Sequence, residues 1–136
     1  MSFIKKWWLV AVSLIIGVSI YFIFRQKVYF IEFIFGRQYC FYSHYDSHHP
    51  LFYFIVYCLP DGLWYLALLN TNDLIAKRWS TRVTKSAAIL DLLVVFIPFL
   101  LEIGQSIGYI VGTFDFWDLL TYGFILILYY LWIKKK

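Results

Sequence analysis

A chain of 136 residues that is 62% hydrophobic, 24% aromatic and only 15% charged has too little polar surface to cover itself in water, since soluble globular domains carry roughly 25% charged residues. Its mean hydropathy of +0.73 points the same way. The formal charge of +4 does not imply nucleic-acid binding, because the basic residues sit between apolar runs and not on one face of a polar module.

A crossing helix needs about 20 apolar residues, so roughly four crossings and their connections occupy nearly all of this length. The expectation is an all-α fold, a polytopic transmembrane helix bundle of about four spans with an interfacial segment after the first, forming a single transmembrane domain over residues 1–136. The lipid bilayer is its first partner.

The first apolar run, WWLVAVSLIIGVSIYFIF, covers 7–24, with Lys5 and Lys6 before it and Arg25 and Lys27 after it. It is too long for the apolar region of a signal peptide, and no small-x-small cleavage site follows, so it reads as a retained span. In the next segment, 25–50, the apolar stretch 28–35 is broken by Glu32 and is too short to cross. Its Tyr and Phe suit the headgroup region, which makes it an outer interfacial loop. The string SHYDSHHP within it carries His44, Asp46, His48 and His49. Imidazole and carboxylate are metal-ligand chemistry, but the spacing matches no zinc motif. These four are weak metal candidates in a chain for which neither metal nor cofactor is expected.

The second span, 51–69, is interrupted by Pro60, Asp61 and Gly62; membrane helices tolerate such a break where neighbours satisfy the freed carbonyl. The stretch 70–86, NTNDLIAKRWSTRVTKS, reads as a cytoplasmic loop. The third span, 87–111, and the fourth, 116–133, are joined by Gly112, Thr113, Phe114 and Asp115. With the amino terminus inside, the inner regions hold two, four and three basic residues, nine of the twelve Lys and Arg. The positive-inside rule then places both termini and the 70–86 loop in the cytoplasm.

Ionisable groups at membrane depth cost at least about 2.5 kcal/mol each and usually face a partner or a cavity. In the third span Asp91, Val95, Pro98, Glu102, Gln105 and Tyr109 are spaced 4, 3, 4, 3, 4, which is one helix face. Asp115, Asp118 and Tyr122 form a second such face at the start of the fourth span. Asp115 also stands where an N-cap carboxylate satisfies free backbone donors. In the assigned orientation Glu102, Gln105, Asp115 and Asp118 lie toward the outer half of the membrane, with Asp61 near mid-depth. An acidic pocket opening outward is the expected site. Its carboxylates can act as a proton donor and acceptor pair, hold a hard cation through oxygen, or receive the cationic or hydroxyl-bearing part of a ligand.

Cys40 and Cys58 are too far apart for a C-x-x-C motif and read as small apolar fillers. Gly104, Gly108 and Gly112 recur every four residues, a ladder that allows close helix packing. Trp7, Trp8, Trp117 and Trp132 read as interfacial anchors. No serine elbow, Walker loop or dinucleotide glycine pattern is present.

The segment LEIGQSIGYIVGTFDFWDLLTYGF, 101–124, resembles the signature of the VanZ-like family of small bacterial membrane proteins, in which a glutamate and a glutamine three apart precede two aspartates three apart. Glu102, Gln105, Asp115 and Asp118 match those positions, and PDGLW, 60–64, resembles the family's proline and aspartate in the second span, which adds Asp61. The resemblance covers roughly residues 50–130. The family often has a basic residue where this chain has Gly112 and an asparagine where it has Tyr122. The resemblance implies a multi-pass protein of the bacterial cytoplasmic membrane, associated with reduced susceptibility to the glycopeptide teicoplanin.

The leading expectation is therefore a VanZ-like cell-envelope protein. Its pocket of Asp61, Glu102, Gln105, Asp115, Asp118 and Tyr122 engages a lipid-linked or envelope-associated molecule. Two alternatives stand beside it: a membrane enzyme using a carboxylate pair on an envelope lipid or glycan, and an accessory or structural subunit of a larger membrane complex; a homo-oligomer is a further option for its partners.

Overall fold

The computed structural model describes residues 3–24, 33, 36, 50–79, 85–110 and 114–133. Among these residues the chain is helical without strands and forms four helices: α1 (Phe3–Phe24), α2 (50–79), α3 (Lys85–Ser106) and α4 (116–133). Phe3–Phe24, Pro50–Lys77 and Ile89–Ser106 are long and apolar enough to cross a membrane, while the apolar helix Phe116–Leu131 is shorter. The interfacial reading of 25–50, like His44, Asp46, His48, His49 and Cys40, lies outside the described residues, apart from Phe33, Gly36 and Pro50.

α2 is one continuous helix built from three stretches. Pro50–Tyr53 is α-helical, Phe54–Cys58 is a π-helical turn, and Leu59–Trp79 returns to α geometry. The π turn sits immediately before Pro60, which has no N–H to donate and whose ring would clash with the carbonyl four residues earlier, that of Val56. Leu59 N–H instead donates five residues back, to the Phe54 carbonyl. The wider turn admits the proline ring without ending the helix.

This helix is the centre of the molecule. Its buried residues, among them Val56, Cys58, Tyr65, Ala67, Leu69, Asn70 and Leu74, are not confined to one stripe. α1 lies along it on one side, and α3 and α4 pack against it as well. α1 buries Lys6, Val10, Ser13 and Gly17, a 4, 3, 4 spacing that defines its inward face. Trp64 covers Gly17, where an added Cβ would lie 3.1 Å from the indole.

α4 runs parallel to α2 and meets it in a series of rungs. A Cβ on Gly62 would stand 2.6 Å from Thr121 Cγ2. Below that, Tyr65 and Tyr122 meet edge to face with ring centroids 5.5 Å apart, and Phe99 of α3 completes the aromatic layer at 6.1 and 5.9 Å from the two. Lower still, Tyr129 Oη donates to the Leu69 carbonyl at 3.3 Å. Tyr65 Oη donates to the Val95 carbonyl at 2.8 Å, in the turn of α3 that Pro98 weakens by withholding its own N–H. Leucine, isoleucine and phenylalanine side chains such as Ile15, Leu92, Leu100, Leu120 and Phe124 point outward and remain exposed, the arrangement expected of lipid-facing helices.

Three boundaries differ from the sequence reading. α1 begins at Phe3, so Lys6 lies within the helix and is only 2% exposed, because Asp73 of α2 receives its ammonium. Residues 70–79 are helical and do not form a loop; Asn72 and Asp73, which suggested a loop, have partners on other helices. Asp73 pairs with Lys6 and with Lys77 Nζ at 3.1 Å, and Asn72 Nδ2 donates to Asp91 Oδ1 at 2.5 Å. α3 ends at Ser106 and not near Val111. There Gly108 takes a φ of 77°, the left-handed conformation that closes helices. Tyr109 N–H and Ile110 N–H both donate to the Gly104 carbonyl, at 2.9 and 3.2 Å.

The glycine ladder therefore serves the end of α3. A Cβ on Gly104 would come 2.5 Å from Ile110 Cδ1 of the same segment, so this glycine makes room for the chain folding back, and Gly112 lies outside the described residues.

Two predictions follow from this packing. Gly62→Ala is expected to cost about 1–3 kcal/mol by overpacking, read as a lower melting temperature of the purified protein in detergent. Adding Thr121→Ser removes the opposing methyl and should recover part of that loss. Asp73→Asn, which leaves Lys6 buried beside a neutral amide, is expected to cost about 3–5 kcal/mol, whereas Lys77→Met at the exposed member should stay within about 1 kcal/mol; the same melts decide.

Candidate acidic site at one end of the bundle

The two ends of the bundle are chemically unlike. At one end, where α1 and α3 begin and α2 finishes, lie the Lys6, Asn72, Asp73, Lys77 and Asp91 groups already described. At the other, where α1 ends and α4 begins, carboxylates from three helices converge. Asp118 lies within electrostatic reach of Asp61 of α2, Glu102 of α3 and Asp115 at the head of α4.

Local structure explains each placement. Asp115, with extended φ and ψ of −128° and 119°, is the N-cap of α4, and its Oδ1 accepts from Trp117 N–H at 2.9 Å. A carboxylate is favoured there by the free backbone donors of the first turn. The cap does not exhaust it: Tyr53 Oη donates to Asp115 Oδ2 at 2.5 Å, and Asp115 N–H donates to Glu102 Oε2 at 3.3 Å. The last bond ties the end of α3 to the start of α4, so the short connection brings Glu102 beside Asp115.

Asp118 stands one turn into α4 on its inward face and is 9% exposed. Its Oδ1 is fully buried with no hydrogen-bond partner. Glu102 is 6% exposed. Tyr21 of α1 donates its hydroxyl to Asp61 Oδ1, which extends the site to the fourth helix. Among the described residues no Lys or Arg forms an ion pair with Glu102, Asp115 or Asp118.

Cys58 occupies the last position of the π turn and is completely buried. Its Sγ and one carboxylate oxygen from each of Asp115 and Asp118 lie within 4.8 Å of one another. These three donor atoms are the group in the site that could hold a metal ion.

Of the residues named from the sequence, the structure brings together Asp61, Glu102, Asp115 and Asp118. Tyr122 packs its ring on Tyr65 and Phe99 in the aromatic layer beneath them and lies within electrostatic reach of Asp61, Glu102 and Asp118. Gln105 is half-buried in the last turn of α3, where its carbonyl accepts from Gly108 N–H at 3.1 Å as part of the helix cap. Tyr109 falls beyond the helix and is 87% exposed; the face it was assigned to stops at Gln105. Sequence reasoning missed Tyr21, Tyr53 and Cys58. Cys58 stands three residues before Asp61, a spacing that places two residues on one helix face, so it could have been found.

Comparison with family models, curated proteins and solved structures gives no match to this chain.

The Tyr53 and Asp115 contacts make a graded prediction. Tyr53→Phe should cost about 1–2 kcal/mol by removing a hydrogen bond to a carboxylate. Asp115→Ala should cost more, because it also removes a cap contributing about 0.5–2 kcal/mol, while Asp115→Asn keeps a capping oxygen and should fall between. Thermal melts followed by helical circular dichroism give the order.

Proposed function

We propose that this chain is a VanZ-like protein of the bacterial cytoplasmic membrane, with both termini in the cytoplasm and the acidic site facing outward. There the site engages the cationic or hydroxyl-bearing part of a lipid-linked or envelope-associated molecule. The observation that carries the reading is the convergence of Asp61, Glu102, Asp115 and Asp118 at one end of the bundle, drawn from three helices. Buried carboxylates at membrane depth are expensive and are kept where they meet a ligand, an ion or a partner. The basic residues flanking the opposite end favour the cytoplasm for that side, which leaves the acids for the outer face.

The four acids coincide with the positions through which the sequence resembles the VanZ-like signature, and that resemblance links the proposed function to teicoplanin susceptibility. A pocket of this composition attracts an ammonium or a hydroxyl and repels bare anionic groups, which sets the chemistry of the moiety received.

Orientation is tested with a membrane-impermeant thiol reagent on intact cells, using single cysteines at positions 46, 80, 113 and 135 in a background lacking Cys40 and Cys58. Labelling at 46 and 113 alone is the expected result; labelling at 80 and 135 alone would turn the acids toward the cytoplasm and defeat the reading. Function is tested by teicoplanin susceptibility on expression. Asp61→Asn and Glu102→Gln, which keep hydrogen-bonding oxygens, should abolish the protection given by the parent chain while leaving its melting temperature within a few degrees. Undiminished protection by both variants would sink the pocket.

A further inference from the structure

We infer that Cys58, Asp115 and Asp118 form a binding site for a divalent transition-metal ion of the zinc type at the inner wall of the acidic pocket. The three donor atoms come from two helices and lie within 4.8 Å of one another. A tetrahedral zinc ion with its usual bond lengths sets such atoms about 3.3–3.7 Å apart, inside that limit. The donors are set by the π turn of α2 and the first turn of α4. The π turn places Cys58 fully inside the bundle, and turns of this kind are frequent at functional sites.

The independent sign of a ligand is Asp118. Its side chain is nine-tenths buried and engaged by the Cys58 thiol, yet its Oδ1 has no hydrogen-bond partner. Buried carboxylate oxygens are rarely left without one. Together with the lack of any ion pair to Glu102, Asp115 or Asp118 among the described residues, this leaves a concentration of negative charge that a bound cation offsets. An ammonium or an alkali ion would be served by oxygen donors alone. Sulfur in the set is what selects a softer divalent metal.

On binding, the Cys58 thiol releases its proton to solvent and the sulfur becomes a thiolate ligand, with one oxygen from each aspartate. Three protein ligands leave a fourth position open, as in zinc sites that meet substrate or water. The inference rests on the reading of the acids as a ligand-binding pocket, but not on what envelope molecule enters it.

The test uses the full chain with Cys40→Ser, purified in mild detergent, stripped with a chelator and titrated anaerobically with Co²⁺. One equivalent should bind with a near-ultraviolet thiolate-to-cobalt charge-transfer band, and Zn²⁺ should displace it. Cys58→Ser should abolish the band, and Asp118→Asn should weaken binding by about 10-fold or more, at least the effect that losing a mere supporting residue has at metal sites. The zinc-loaded parent chain supplies a readout free of variants: X-ray absorption should find one sulfur at about 2.3 Å. Saturable binding with an oxygen-only shell and no charge-transfer band would overturn the inference, as would no binding by a protein of full helicity. Either failure leaves the pocket reading to be judged separately by Asp61→Asn and Glu102→Gln, neither of which alters a proposed ligand.

Discussion

Helices α2 and α4 meet closely at Gly62, where the missing side chain lets Thr121 of α4 settle directly on the backbone of α2. That contact sets the separation of the two parallel helices, and the remaining rungs depend on it. Above it, Cys58 comes beside Asp115 and Asp118; below it, Tyr65, Phe99 and Tyr122 fill the space at edge-to-face distances. In lipid the hydrophobic effect does not drive helices together, so small residues that permit close van der Waals contact carry much of the association. One methyl group at Gly62 would spread both layers at once.

The polar groups of this chain are sorted by partner availability. Lys6 and Lys77 both pair with Asp73 at one end, with Asn72 and Asp91 bonded beside them. At the other end, carboxylates gather with tyrosine hydroxyls and one thiol as neighbours. Burying an ion pair is tolerable when its geometry is met; collecting like charges is unfavourable and persists where something positive or protic comes to them. One end therefore pairs its charges, and the other gathers acids from three helices.

Much of this was legible in the sequence. The apolar runs gave the helical class and the long helices, and the 3.6-residue period placed Glu102 and Asp118 on inward faces before any contact was known. The N-cap role of Asp115 was readable from residue type and position. What failed did so for tertiary reasons. Asn72 and Asp73 looked like loop residues because their partners, Asp91 and Lys6, are 19 and 67 positions away. Gly104 and Gly108 read as a packing ladder, but a positive φ at Gly108 turns the chain and spends both on a helix end. Tyr122 joins both layers, its ring packed on Tyr65 and Phe99 and its hydroxyl within electrostatic reach of Asp61, Glu102 and Asp118, and spacing alone could not show the packing half of that role. Tyr53 and Tyr21 carry no local signal, since their acceptors lie on other helices.

The π turn has a bearing on how the length of this chain can change. A π turn is an α-helix with one residue inserted, so deleting a single residue between 54 and 58 would restore the ordinary period and rotate everything before it by about 100° relative to everything after it. Tyr53 would swing away from Asp115, while Gly62, Tyr65 and the rest of α2 kept their places. The helix as a helix would survive such a loss, but Pro60 would then meet the carbonyl four residues before it unrelieved. Single-residue insertions and deletions, harmless in most surface loops, are thus among the most damaging changes this segment can receive.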